Sequence, residues 1–185
     1  MFRFSKFLGI ISWSAGGSVV TLACMPLLTR IYELAGFGLL GVVQAAASVI
    51  APFVTGRYEQ ALLLGRGDRM MKGLLWLCVL ILFLTGLTLF LFASIYANLD
   101  GGIGDYAYFV PAFALAIALY SLTEKCFLRF GLENWIGRQS FLRGTAASIF
   151  PLIGWYIFSK DSRWLLALTL AGNAFPVIVS YFVLR

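Results

Sequence analysis

The feature that most limits what this chain can fold into is a succession of apolar runs. Each is close to the ~20 residues that cross a bilayer as a helix, and short polar joints separate them. The runs occupy residues 7–28, 39–64, 73–97, 106–123, 139–158 and 164–184. Hydrocarbon offers the backbone no hydrogen-bond partners, so runs of this length are stable there as helices. The expectation is an all-α polytopic membrane protein with six transmembrane helices forming a single unit over 1–185, with no soluble domain. Composition agrees, because 61% hydrophobic and 12% charged residues with a mean hydropathy of +0.92 lie outside the range of soluble domains.

Topology accounts for the net charge of +6. With the N-terminus inside, Arg3, Lys6, Arg57, Arg66, Arg69 and Lys72, then Lys125, Arg129, Arg138, Arg143 and Arg185, fall on the cytoplasmic side. Only Arg30, Lys160 and Arg163 fall outside. That bias follows the positive-inside rule, places both termini in the cytoplasm and needs no nucleic acid. The Gly101–Gly102 pair marks an outer joint without positive charge. Arg3 and Lys6 ahead of an apolar run resemble a signal peptide, but the run is too long for one and reads as a retained signal anchor.

Several chemistries are excluded. Histidine is absent, so no imidazole base or ligand exists. Cys24, Cys78 and Cys126 are dispersed in apolar surroundings, without metal-ligand spacing, and read as packing residues. No Gly-rich phosphate loop, Ser elbow or acidic metal cluster occurs, and no span holds a pair of acids. The chain is read as a non-enzyme with no metal and no cofactor.

What remains is a small set of polar residues near or within the spans. In "TGRYEQALLL" (residues 55–64), Arg57 precedes Arg66 by roughly 13 Å if the helix is continuous. Arg57 and Glu59 then lie inside the membrane, where an ionisable group is a functional-site hypothesis. The alternative puts the membrane edge near Thr55 and makes both residues interfacial. Arg129, Arg138 and Arg143 are suited to anionic lipid head groups or a diphosphate, or simply set the topology. Asn173 is the main polar side chain of the sixth run, and can bond to a neighbouring helix. Pro26, Pro52, Pro111, Pro151 and Pro176 fall in spans, and Pro26, Pro52, Pro111 and Pro176 are taken as hinge candidates. Small residues four apart, such as Ser12 and Gly16, Gly41 and Ala45, Ala114 and Ala118, Gly144 and Ser148, and Ala167 and Ala171, suit close helix packing. In the first joint, Arg30 and Glu33 stop a helix, Tyr32 suits the head-group level, and Gly36 with Gly38 suits a tight return.

Two elements carry a family resemblance: Thr29, Arg30, Tyr32, Glu33, Phe37 and Gly38, and then Arg57, Tyr58, Glu59 and Ala61. Together, residues 26–64 resemble the N-terminal region of the Wzx-like polysaccharide flippases of the MOP superfamily, the O-antigen and exopolysaccharide translocases. The resemblance implies one six-helix lobe of a MOP-type transporter in the bacterial inner membrane. Its implied cargo in lipopolysaccharide and related biosynthesis is a polyprenyl-diphosphate-linked glycan, moved by alternating access and coupled to a proton or sodium gradient. Arg57, Tyr58, Glu59 and Arg30 are then substrate-binding candidates, and Asn173 joins them as the polar residue of the sixth run. The family has two lobes, so this chain is expected to be a half-length or truncated form, completed by a second lobe or a parallel homodimer. The rival readings are a membrane scaffold for a glycan polymerase or glycosyltransferases, and a multidrug exporter of the same superfamily.

Overall fold

A computed structural model describes residues 4–64, 67–99, 104–157 and 161–184. Arg3, Arg66, Lys160, Arg185 and the Gly101–Gly102 joint lie outside the described residues. The elements in order are α1 (Phe4–Ile31), α2 (Leu34–Val54), α3 (Ala61–Leu64), α4 (Asp68–Leu99), α5 (Gly104–Ala107), α6 (Phe109–Arg129), α7 (Glu133–Ile157) and α8 (Ser162–Leu184), with a 3₁₀ turn at Tyr58–Gln60. No strand occurs among the described residues. Five helices are long and apolar enough to cross a membrane, over Gly9–Ile31, Leu34–Val54, Arg69–Leu99, Phe109–Arg129 and Ser162–Leu184. The protein is therefore all-α and polytopic, as its apolar runs require.

The fifth expected run lies in α7, which has the length of a span but is not among those five helices. The reason lies in its sequence, where Gln139, Ser140, Arg143, Thr145 and Ser148 interrupt the apolar pattern. Packing explains why the helix tolerates them: α7 lies against α1 and against α8. Gln139 and Ser148 are buried in protein. Polar side chains that meet other helices escape the penalty they would incur against lipid.

The chain forms two compact units, Met1–Leu40 with Phe130–Arg185, and Gly41–Arg129, where the sequence pattern suggested one. In the first, α1 and α7 meet backbone to backbone. A Cβ placed on Gly144 would stand 2.7 Å from the Gly17 carbonyl oxygen, and one on Gly137 would stand 3.0 Å from the Ile10 Cα. Ser14 and Ser140 join hydroxyls at 3.2 Å across this seam. The Thr21 hydroxyl lies 3.0 Å from the Gly17 carbonyl oxygen and 3.2 Å from that of Gly144, so its one proton serves both helices by turns. On the other side of α7, a Cβ on Gly172 of α8 would stand 2.5 Å from the Ala147 Cα. The Gly144 expectation thus meets a real contact, but α1 contributes Ser14, Gly17 and Thr21 more closely than Ser12 and Gly16. Gly41 has nothing within 4 Å of its Cβ position.

The first joint differs from its expected form. Helix α1 runs through Arg30 to Ile31, α2 begins at Leu34, and Tyr32 and Glu33 alone connect them. Tyr32 faces protein rather than its surroundings. It is 2% exposed, packs with Leu28 and Leu165, and donates its phenol hydrogen to the Pro151 carbonyl at 3.0 Å. A buried phenol needs such an acceptor, which explains its direction. Gly36 and Gly38 lie inside α2 and neither has a positive φ. Gly36 is needed for approach, since a Cβ there would stand 3.0 Å from the Ser162 Oγ, whereas Gly38 faces open space.

Pro26, Pro52, Pro151 and Pro176 lie within their helices, where each withholds an amide hydrogen from the ladder. Pro111 differs because it stands in the first turn of α6. Its missing N–H is among those that have no acceptor within the helix, so it removes no bond there.

The α7 contacts give a direct stability test. Gly144→Ala and Gly172→Ala should each destabilise the protein by about 1–3 kcal/mol, because backbone rather than a flexible side chain would have to move. Gly41→Ala, with open space at its Cβ, should cost nothing measurable. Reversible unfolding in detergent would check the order.

Candidate functional site

The second expected span does not continue to residue 64. Helix α2 ends at Val54, and its apolar face gives way to Thr55, Gly56 and Arg57. The Tyr58 amide donates to the Thr55 carbonyl at 3.1 Å, closing a β-turn whose two central residues, Gly56 (φ 57°) and Arg57 (φ 59°), both lie in the left-handed region. Glycine accepts that region freely, whereas arginine does so at a cost of about 1–2 kcal/mol. The spacing of Arg57 and Arg66 on a continuous helix therefore falls away. Near the break, the Thr85 hydroxyl of α4 lies 2.9 Å from the Val54 carbonyl oxygen and 2.7 Å from that of Ile81, so its proton can satisfy one orphan carbonyl of the α2 end.

The turn separates three consecutive side chains. Arg57 and Tyr58 are exposed, while Glu59, in the 3₁₀ turn, is only 6% exposed. Arg57, Glu59 and Gln60 line a cavity of about 250 Å³ together with Ser48, Ala51, Pro52 and Thr55 of the α2 end and Ile117, Ala118 and Ser121 of α6. The Glu59 Oε2 and Thr55 Oγ1 are buried and have no hydrogen-bond partner. Arg57 and Glu59 form no ion pair within 4.0 Å. A second concavity of about 470 Å³ is lined by Ser48, Val49, Pro52, Phe53, Gly56 and Arg57. Ser48, Pro52 and Arg57 are common to both, so Arg57 stands where a polar cavity meets a more apolar one.

In the other unit, α7 and α8 bring Arg143 and Asn173 together. The Arg143 Nε donates to the Asn173 Oδ1 at 2.8 Å, and the Asn173 Nδ2 donates to the Thr169 carbonyl at 2.8 Å. Those bonds orient the amide so that its oxygen faces the guanidinium. Arg143 is thus tied to another helix, which narrows the head-group role expected for it. Arg129 is exposed at the end of α6, and Arg138, exposed on α7, sits 5.0 Å from the Trp135 ring centre in cation–π geometry. Arg30 is exposed in the last turn of α1, where a cation complements the helix dipole, and lines neither cavity. The three cysteines are free, and Cys78 and Cys126 are buried, in keeping with packing. Among the described residues, no group of three or more Cys, Asp or Glu side chains could hold a metal.

Sequence reasoning found Arg57 and Glu59 but missed Ser48, Thr55, Gln60 and Ser121. A signal was present: Ser48, Ala51, Pro52 and Thr55 are spaced by three, four and seven along α2 and so share one helix face. That small, polar stripe lacked a partner until α6 supplied Ser121.

The fold and these two sites define a multi-pass, all-helical membrane protein with a polar cavity beside a broken helix end. No protein-family model, curated protein or solved structure matches the chain.

Two measurements test this geometry. Arg57→Gly should keep or slightly raise stability, since glycine relieves the left-handed strain, whereas Gly56→Val should lose about 1–3 kcal/mol because it forces a β-branched residue into that region. Thermal unfolding of both variants would decide. For Arg143 and Asn173, a double-mutant cycle with Arg143→Met and Asn173→Leu should give a coupling energy of about 1 kcal/mol, with the double variant more stable than the sum of the single losses implies.

Proposed function

We propose that the protein translocates an amphiphile with an anionic head and a long apolar tail, a polyprenyl-diphosphate-linked glycan, as a lobe of a polysaccharide flippase in the bacterial inner membrane. The observation that carries this reading is the position of Arg57, on the shared wall of a polar cavity and a concavity lined by Val49 and Phe53. A diphosphate cannot enter hydrocarbon unaided, because an unpaired charge there costs many kcal/mol. A guanidinium answers that cost with paired, charge-assisted hydrogen bonds. An apolar surface at the same arginine suits the first units of the tail, so head and tail are served at one point. Glu59, Gln60 and the hydroxyls of Ser48 and Ser121 suit hydroxyl groups of a sugar. The helix break at residues 55–57 is the joint that presents them. The resemblance of the segments around Arg30 and Arg57 to the Wzx-like flippases supports the same reading.

The test is reconstitution of the chain in vesicles with a labelled lipid-linked glycan, scoring label that becomes protected from an external reagent. Wild-type protein should move the label. Arg57→Gln should slow movement by about tenfold or more, as expected for loss of a charge-assisted contact worth ~1.5–3 kcal/mol, and Arg57→Lys should retain part of the rate. Equal rates for wild type and Arg57→Gln at equal membrane insertion would defeat the reading.

A further inference from the structure

Thr85 of α4 stands where a backbone amide would stand if α2 ran on. In an unbroken α-helix the Tyr58 N–H donates to the Val54 carbonyl, four residues back. Here the Tyr58 N–H donates to the Thr55 carbonyl at 3.1 Å, and the Val54 carbonyl meets the Thr85 hydroxyl at 2.9 Å instead. The same displacement recurs at alternate residues. The Gly56 amide donates to Phe53 and the Gln60 amide to Arg57, both at 3.1 Å and each one residue short of its α-helical acceptor. Return of these three bonds to the α-helical pattern would join α2 to α3 in one helix, the form that the apolar run 39–64 suggests.

Two observations make the broken form conditional. Arg57 holds φ at 59°, a left-handed conformation that strains a residue with a Cβ and that a continuous helix relieves. Thr85 has one hydroxyl proton and three carbonyl oxygens in reach, Val54 at 2.9 Å, Ile81 at 2.7 Å and Leu82 at 3.3 Å. Bonding back to its own helix, as to Ile81, is an ordinary habit of a helical threonine. When the proton turns to Ile81, the Val54 carbonyl loses its donor. Thr85 lies at the centre of the apolar run 73–97, in a helix long and apolar enough to cross a membrane, and hydrocarbon at that depth supplies no water as a substitute. The donor that remains is the Tyr58 amide.

We infer that residues 55–60 form a two-state switch, broken while Thr85 bonds Val54 and continuous when Thr85 bonds Ile81. In the broken state Arg57 and Glu59 line one cavity. In the continuous state they stand roughly 200° apart about a single helix axis and cannot share a wall. A ligand that needs both residues therefore binds the broken state alone and draws the switch toward it, whatever its chemical identity. Thr85 lines neither concavity, so it acts on the site as a positioning residue.

The experiment uses the full chain in lipid nanodiscs without glycan lipid, so its outcome is separate from that of the transport assay. Arg57–Tyr58 is the one Arg–Tyr bond in the sequence, so labelling arginine with carbon-13 and nitrogen-15 and tyrosine with nitrogen-15 isolates Arg57. Solid-state NMR then measures its H–N–Cα–H dihedral, which separates a positive from a negative φ. Wild type should show a positive φ. Thr85→Val, which keeps the shape and removes the hydroxyl, should raise the negative-φ share about tenfold, as loss of a hydrogen bond to a buried carbonyl implies, and Thr85→Ser should restore the wild-type ratio. Gly56→Ala leaves Thr85 in place and puts a side chain where glycine alone is at ease, so it should shift the ratio in the same direction and keeps the switch testable if Thr85→Val does not fold. A negative φ in wild type overturns the inference. Thr85→Val that folds with a positive φ alone, or with the same ratio as Thr85→Ser, also overturns it, because a threonine that merely packs would lower stability without changing the turn. Gly56→Ala with only a positive φ does so as well.

Discussion

A backbone placed in hydrocarbon must satisfy its own hydrogen bonds, and this requirement governs the rest of the molecule. Long helices meet it residue by residue, which is why α1, α2, α4, α6 and α8 carry spans of the necessary length and apolarity. It also makes any interruption expensive. At the end of α2, backbone groups are answered by the turn bond from Tyr58 to Thr55 and by the Thr85 hydroxyl near Val54. The same break turns Glu59 inward while leaving Arg57 exposed. The site is thus a consequence of how the helix ends, and no extra domain is needed to build it.

Once helices are formed, lipid provides no hydrophobic force to press them together, so fit and close approach decide which pairs hold. The contacts of α7 illustrate this. Gly144 against Gly17, and Gly172 against Ala146 and Ala147, allow backbones to touch where any side chain would collide. Having protein on two sides, α7 can hold Gln139, Ser148 and Arg143, polar residues that a lipid-facing helix would reject. Its lower apolarity follows from its place between α1 and α8, and the Arg143–Asn173 bond uses that shelter.

Hydropathy made the class of fold legible because period and length are local properties. Five apolar runs became helices long and apolar enough to cross a membrane. What it did not reveal depended on local backbone conformation or on partners distant in sequence. Nothing in "VTGRYEQALLL" announces that Arg57 will adopt a positive φ, since glycine at 56 alone marks a turn and the run beyond it is apolar again. Tyr32 looked interfacial by residue type, yet Pro151, far along the chain, gives its hydroxyl a buried acceptor. Asn173 and Arg143 were each visible as polar residues in apolar runs, and only the packing of α7 on α8 shows that they answer one another.

Arg57 and Glu59, two residues apart, illustrate why the order of residues matters more than their presence. On a continuous helix they would point to different faces, and each would need its own partner in the membrane. As an adjacent ion pair they would neutralise each other, and neither would be available to a ligand. The turn produces a third arrangement, in which both line one cavity without forming an ion pair. Opposite charges that do not pair with each other keep their attraction for other groups, at the cost of burying a carboxylate. The positive φ of Arg57 and the orphan oxygen of Glu59 thus lie in one short segment, whose fold leaves the first charge exposed and buries the second.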